Sequence, residues 1–265
     1  KCLNGLFNDQ KNSSIAEFDV IVVDNASTVD ISDIVGSFPQ ARFLVEQDRG
    51  AAAARNCGVR RALAENIIFL DSDCIPADDW LEVAATHFGA SEIVGGRIQT
   101  FDETPPPRSG AEAFETVFAF DQRRYIEEEG FSVTANLLTT KSILAKVGGF
   151  RSGMSEDLDW CQRAVGLGYN LSYDEKLLVF HPTRRNWEDL KKKWSRLTTE
   201  SYSLFIKKGR PKAIWIARSI AVLASPCVHM FKILFSKNLD SIGERLRAML
   251  MLYRLRFWRA FSMLK

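Results

Sequence analysis

Ile67-Ile68-Phe69-Leu70-Asp71-Ser72-Asp73 decides the fold: four apolar residues run straight into two carboxylates. The apolar run reads as a buried strand. Alternation along it would turn Asp71 and Asp73, two residues apart, toward one point in space. In open α/β sheets ligands bind just beyond the carboxyl ends of strands. Two hard oxygen donors there suit Mg²⁺ or Mn²⁺ and, through the metal, a diphosphate. Asp and Ser are also ordinary turn formers, so the segment alone reads equally as a turn.

The flanking sequence breaks that tie. Asp19–Asp24 reads as a second buried strand, Ile31–Phe38 as a short helix, and Ala41–Glu46 as a strand. Ala51–Leu63 is rich in helix formers and precedes the 67–70 strand. Strand, helix, strand, helix, strand predicts an α/β fold with a mostly parallel central sheet flanked by helices. Further on, Val94–Thr100 reads as a strand, Ala111–Tyr125 as a helix, Leu158–Val165 as a helix, and Leu177–Phe180 as a strand.

A chain of 265 residues can bury a full core, as one large domain or two small ones. Its net charge of +2 hides an asymmetry: residues 181–265 hold 19 Lys+Arg against 5 Asp+Glu, and the remainder is correspondingly acidic. An acidic front suits a cation-binding catalytic half, and a basic tail an anionic partner. The five cysteines are scattered without a CxxC pair. This argues against a disulfide framework or a zinc site and fits a reducing compartment. No signal peptide opens the sequence, and it begins without Met in mid-pattern; the expectation is a piece of a longer chain.

Three further clusters carry chemistry. Asp24-Asn25-Ala26-Ser27 sits at a strand end, where it could bond a base or ribose or form an ordinary Asx turn. Gly50 with Arg55 and Asn56 could bring a helix N-terminus and a cation near phosphate. Glu156, Asp157 and Asp159 begin a helix, where acids favour the dipole. They exceed what capping requires, so one could act as a general base for a hydroxyl. Gly148-Gly149-Phe150 supplies a tight turn before them. His181 ends its own strand, as Asp73 does, and could face a metal or be structural.

Val22-Val23-Asp24-Asn25-Ala26-Ser27, Gly50…Arg55-Asn56-x-Gly58, Leu70-Asp71-Ser72-Asp73, Val147-Gly148-Gly149-Phe150 and Glu156-Asp157-x-Asp159…Arg163…Gly168 stand in that order. Together they resemble the landmarks of family-two inverting glycosyltransferases with the GT-A fold, over roughly residues 1–185. The resemblance implies a nucleotide-sugar donor contacted by Asp24, Asn25, Arg55, Asp71, Asn136 and Glu156. It implies a divalent metal (Mg²⁺ or Mn²⁺) held by Asp73, Asp71 and His181, and Asp157 as catalytic base. Residues 1–100 would then be the donor-binding half, 101–185 the acceptor-binding half, and 186–265 a basic helical extension. Two departures stand out. The family's first strand is absent, the chain starting in what reads as the following helix. The QxxRW signature of processive synthases is also missing, so transfer of one sugar per encounter to a glycan, lipid-linked or small acceptor is expected.

In the tail, residues 213–235 are mostly apolar but contain Arg218, His229, Lys232 and Pro226, a poor spanning helix. Over 242–265, Ile242, Leu246, Met249, Leu250, Tyr253, Phe257 and Phe261 fall on one helical stripe, flanked by Arg245, Arg247, Arg254, Arg256 and Arg259. This predicts a helix lying among anionic lipid headgroups; the alternative is a helix packed on the catalytic domain with solvated arginines. No nucleic-acid motif accompanies the charge. The expected location is cytoplasmic, peripheral on the inner face of the cell membrane. Two rival functions remain at this point. One is a haloacid-dehalogenase-like phosphatase using Asp71 and Asp73, although strands precede the pair and Cys74-Ile75 come after it. The other is a degenerate, membrane-bound sugar-nucleotide-binding protein without catalysis.

Overall fold

The computed structural model describes residues 1–9, 18–89 and 92–264. In chain order the first elements are α1 (Cys2–Asp9), β1 (Val20–Asp24), α2 (Ser32–Gly36), β2 (Ala41–Val45), α3 (Ala51–Arg61), β3 (Asn66–Leu70) and β4 (Ile75–Pro76). Next come α4 (Trp80–Ala85), β5 (Ile93–Phe101), α5 (Gly110–Phe118), α6 (Gln122–Glu127), β6 (Asn136–Thr140), α7 (Lys141–Val147), α8 (Glu156–Gly166) and β7 (Leu171–Pro182). Four helices complete the chain: α9 (Trp187–Lys207), α10 (Lys212–Ala224), α11 (Pro226–Leu234) and α12 (Ile242–Ser262). The elements form two compact units. Unit 1 is Lys1–Gln99 with Asp121–His181, and unit 2 is Thr100–Phe120 with Pro182–Lys265.

The α/β class holds, and the strand directions refine it. β1 and β2 pair in parallel, as the β-α-β pattern requires. The second sheet has the order β3-β6-β5-β7-β4. There β6 runs antiparallel to both β3 and β5, and β4 antiparallel to β7, so this sheet is mixed rather than mostly parallel. β5 and β7 run together, with Ile93 N–H donating to Asn170 at one end and Thr183 N–H to Phe101 at the other. A buried apolar run reports that a strand is covered on both faces and says nothing of its direction.

Unit 1 buries Phe69 of β3, Ile93 of β5, Leu137 of β6, Leu144 of α7 and Trp160 of α8 in one core. Each such side chain contributes about 2–3 kcal/mol of transfer free energy, and together they fix the ends of β3, β6 and α8 that carry the polar clusters. Within β5, Gly95-Gly96 admit close neighbours: a Cβ on Gly96 would lie 2.1 Å from the Asn136 amide nitrogen. The single helix expected over 111–125 is two, because the chain passes from unit 2 back to unit 1 between Phe120 and Asp121.

Unit 2 has its own core of Phe114 (α5), Leu190 (α9), Ile233 (α11), and Leu252 and Leu255 (α12). A capping box at Ser109 and Glu112 starts α5, and Ser241 caps α12 by accepting from the Glu244 N–H. α12 packs through Ala248, Leu252, Leu255 and Ala260. Most of the stripe read from the sequence faces away, with Ile242 77% exposed, Leu250 72% and Phe257 59%, while Met249 packs on the unit 2 core. Among the described residues no single helix is long and apolar enough to cross a membrane, although α10 and α11, bent by 41°, reach that length and composition as a pair.

Candidate active site

β3 ends at Leu70, and the chain then enters a turn closed by the Cys74 N–H donating to the Asp71 carbonyl at 3.0 Å. Strand alternation therefore does not extend to Asp71 and Asp73, and the two carboxylates part. Asp71 Oδ1 accepts from Arg55 Nη2 at 3.1 Å, whereas Asp73 Oδ2 lies 3.5 Å from His181 Nε2. The expectation that both acids meet at one point is corrected accordingly: one turn serves two neighbourhoods.

The first is built by α3 and α8. Gly50 precedes α3 at φ 122°, a backbone conformation that disfavours any side chain, and its N–H donates to Asn25 Oδ1 at 2.6 Å. One turn into α3, Arg55 donates from Nη1 to Glu156 Oε1 at 2.5 Å. Burial works against the Arg55 charge, but Asp71 and Glu156 outweigh it and raise its pKa. Asp157 comes directly after Glu156 and accepts from the Leu158 N–H at 2.8 Å. Partly buried, it is pushed up to about 6 by burial and by Glu156, against the Leu158 bond and Arg55. It therefore titrates within reach of neutral pH, where a base can take and release a proton.

The acids of α8 are thereby sorted. Glu156 and Asp157 belong to the Arg55 neighbourhood, while Asp159 is buried and accepts from Arg163 Nε at 2.9 Å. Arg163 also donates to the carbonyls of Val147 and of Gly149, the latter at 2.8 Å, tying α8 to the Gly148-Gly149 turn. Asn56 clasps the same turn, its amide donating to the Phe150 carbonyl at 2.8 Å and its oxygen accepting the Phe150 N–H at 2.9 Å. The sequence suggests a place for Asn56 beside phosphate; in the structure it holds the loop that leads to Asp157.

The second neighbourhood is built by sheet register. β4 pairs with β7 through Ile75↔Phe180, which sets the preceding residue, Cys74, against the next one along β7, His181. Ligand atoms of Asp73, Cys74 and His181 all lie within 4.8 Å of one another. Carboxylate and imidazole suit a divalent first-row ion, whereas a thiol is a softer donor than Mg²⁺ or Mn²⁺ selects. Asp73 and His181 thus fit the expected metal, and Asp71, engaged by Arg55, stands apart from them. Cys74 was missed in the sequence; its only signal was adjacency to Asp73.

Two other expected donor contacts have their polar atoms committed to protein. Asn25 donates to the Glu46 and Asp48 carbonyls at 3.1 and 2.6 Å and so buckles the loop before α3. Asn136 is fully buried, donating to Arg97 and Leu177 carbonyls and accepting from Trp80 Nε1 at 3.0 Å. It stands inside the sheet, where Gly96 leaves space for it. Asp24 is half-buried at the end of β1 and accepts from the Ser27 N–H at 3.2 Å.

This arrangement defines an α/β sheet with acidic clusters at its strand ends, and comparison with known proteins gives the class. The structure is similar to a mannosyltransferase, PcManGT from Pyrobaculum calidifontis, with TM-score 0.57 and 17% identity over 97% of this chain and 79% of that one. The glycosyl transferase family 2 model matches residues 1–159, and the chain belongs to that family. Glycosyltransferase AglE of Haloferax volcanii is 29% identical over 73% of this chain. The pre-mycofactocin glycosyltransferase of Mycobacterium tuberculosis is 31% identical over 67% of it. The chain spans 66% of the first relative's length and 40% of the second's. Family membership removes the phosphatase alternative.

Proposed function

We propose that this chain transfers one sugar, with inversion, from a nucleotide-sugar donor to an acceptor hydroxyl. The observation that carries the reading is geometric: Arg55 pairs with both Glu156 and Asp71, and Asp157, its pKa pushed up to about 6 by burial and by Glu156, comes directly after Glu156. Arg55 fixes Glu156 and Asp71, so the loop before α8 is anchored and Asp157 is presented as the base for the acceptor proton. Asp73 and His181 would hold a divalent metal, which when bound neutralises charge on a leaving diphosphate. Asp24, at the end of β1, would contact the ribose or base. Support also comes from the like-folded mannosyltransferase, which was solved with GDP-Man and Mn²⁺.

Unit 2 is proposed to rest on an anionic membrane surface, presenting a lipid-linked or membrane-proximal acceptor on its cytoplasmic side. Its exposed apolar residues include Leu246, Leu250 and Phe257 of α12, Ile216 and Ile220 of α10, and Val228 and Phe231 of α11. A soluble surface seldom gathers so many large apolar side chains. An apolar cavity of about 510 Å³ lies among Trp187, Leu223, Pro226, Tyr253, Phe257 and Trp258, and Arg254 stacks 4.2 Å from the Trp187 ring at its wall.

The test is nucleotide-sugar turnover by the chain with Mn²⁺ and with EDTA, for wild type and Asp73→Ala. Turnover that needs Mn²⁺ in the wild type and is lost in Asp73→Ala supports the reading. Metal-independent turnover that survives the substitution overturns the metal assignment.

A further inference from the structure

Unit 2 contains a second buried charge cluster with the opposite balance to that around Arg55. Arg259 of α12 is 8% exposed, and its guanidinium lies 4.5 Å from the centre of the Trp194 ring of α9. Arg256, one turn earlier on α12, lies 5.5 Å from the same ring. Arg259 Nε, Arg256 Nε and Trp194 Nε1 are all buried without a hydrogen-bond partner. Among the described residues neither guanidinium forms an ion pair with a carboxylate. Burial first, then the like charges of Arg256 and Arg218, push Arg259 down to about 9, which leaves it cationic at neutral pH.

Such an arrangement is unfavourable as it stands. A buried cation is tolerated when paired and hydrogen-bonded, and an unpaired one carries the full desolvation penalty. Stacking on Trp194 recovers part of this, since an aromatic face attracts a cation. It leaves the Nε–H donors of both arginines unmet, however. Every orphan atom here is a donor, and the surrounding charge comes only from arginines. The missing complement is therefore acceptor-only, anionic and able to offer several oxygens at once. A carboxylate supplies one negative charge; a phosphate monoester or diphosphate supplies about two, matching two guanidiniums, and has enough oxygens for all three donors.

We infer that Trp194, Arg256 and Arg259 form a phosphoryl-binding site in unit 2, distinct from the Asp73–His181 neighbourhood of unit 1. The phosphoryl group comes either from a lipid headgroup or from a free phosphate. The lipid source rests on the membrane contact proposed above, whereas the site itself does not.

The experiment measures thermal unfolding of the chain in EDTA, which keeps metal-borne diphosphate off unit 1, with added pyrophosphate or with acetate at equal ionic strength. The site predicts that pyrophosphate raises the wild-type Tm and acetate does not. Arg259→Met should melt higher than wild type without pyrophosphate, because an unpaired buried charge is gone, and should show no further rise with it. Trp194→Phe keeps an aromatic face and removes one donor, so its pyrophosphate shift, measured from its own basal Tm, should shrink; it serves if Arg259→Met does not fold. Equal shifts with acetate, or equal pyrophosphate shifts in wild type and both variants, overturn the site.

A second arm compares phosphatidylcholine vesicles containing phosphatidic acid with ones containing phosphatidylserine at matched surface charge. At least tenfold tighter binding to phosphatidic acid, lost in Arg259→Met, assigns the lipid source. A pyrophosphate shift without that preference assigns a free phosphate and leaves the site standing. Failure of the wild type to bind any anionic vesicle, with the pyrophosphate shift intact, overturns the membrane contact and not the site.

Discussion

Arg55 in unit 1 and Arg259 in unit 2 are both largely buried guanidiniums, and their neighbours could hardly differ more. Arg55 lies between two carboxylates, Glu156 at 2.5 Å and Asp71 at 3.1 Å, and its charge is strengthened by them. Arg259 meets an indole face and other arginines, and its charge is weakened. The first arrangement is electrostatically closed: it holds α3, the turn after β3 and the start of α8 together with no outside help. The second is open and lacks an anion. Unit 1 thus uses its buried arginine to hold Asp71 and Glu156, while Asp73 stays half-exposed beside His181 and Asp157 lies next to the Arg55–Glu156 pair. Unit 2 gathers cations beneath an apolar face.

The sharpest way to probe the closed side is Asp157→Asn, which keeps shape and removes the base. Sugar transfer should fall by about 10²–10⁴-fold, the usual contribution of a positioned acid or base; unchanged transfer would sink the assignment. The same group predicts a pH signature. Its folded pKa of about 6 exceeds the ordinary value of 3.8, so the folded chain holds this proton more tightly than the unfolded one. The stabilisation from that proton is complete below 3.8 and is lost as pH rises through about 6. Transfer should accordingly rise with pH through about 6 to a plateau, and Asp157→Asn should be more stable than wild type at pH 8 by on the order of 2 kcal/mol. Urea unfolding at pH 5 and pH 8 checks the sign.

Next in size is Arg55→Met, which leaves Glu156 and Asp71 without their cation. Removing one partner of a buried pair costs about 3–5 kcal/mol, and partial exposure of Asp71 places this case toward the lower figure. The contrast with Arg259→Met, expected to stabilise, is a direct test of closed against open. If both substitutions shift the urea midpoint in the same direction, the comparison breaks. The smallest stability effect belongs to the apolar face of unit 2. Leu250→Glu with Phe257→Glu changes residues that are 72% and 59% exposed. Folding stability should move by less than about 1 kcal/mol, while binding to anionic vesicles falls at least tenfold. Unaltered vesicle binding would remove the docking role from this face.

Much of this was legible in the sequence. The apolar run into Asp71-Ser72-Asp73, the helix formers after Gly50 and the order of the five motifs were enough for the α/β class and the family. The stripe on α12 was also legible, since helical period alone sets which residues share a face. What that period does not report is which face finds a partner. The structure packs Ala248, Leu252 and Leu255 inward with Met249 beside them and leaves the rest of the bulkier stripe outside. Arg245, expected to reach lipid, instead donates to the carbonyls of Ile233, Ser236 and Leu239. β6 and α7 went unread because Asn136–Thr140 is short and polar at both ends, and its strand character comes from lying between β3 and β5.

By itself, then, the sequence determined the fold class, the family and the stock of charged and amide side chains at the strand ends. Only the tertiary structure decided what each of them does. It divided Asp71 from Asp73, gave Asp159 to Arg163, turned Asn25, Asn56 and Asn136 toward backbone, and brought Cys74 beside His181. The reason is one of range. Periodicity and turn chemistry act over a few residues and fix local conformation. Hydrogen-bond partners are chosen by strand register and helix packing between segments far apart in the chain, as when Arg55 meets Glu156 across 101 positions.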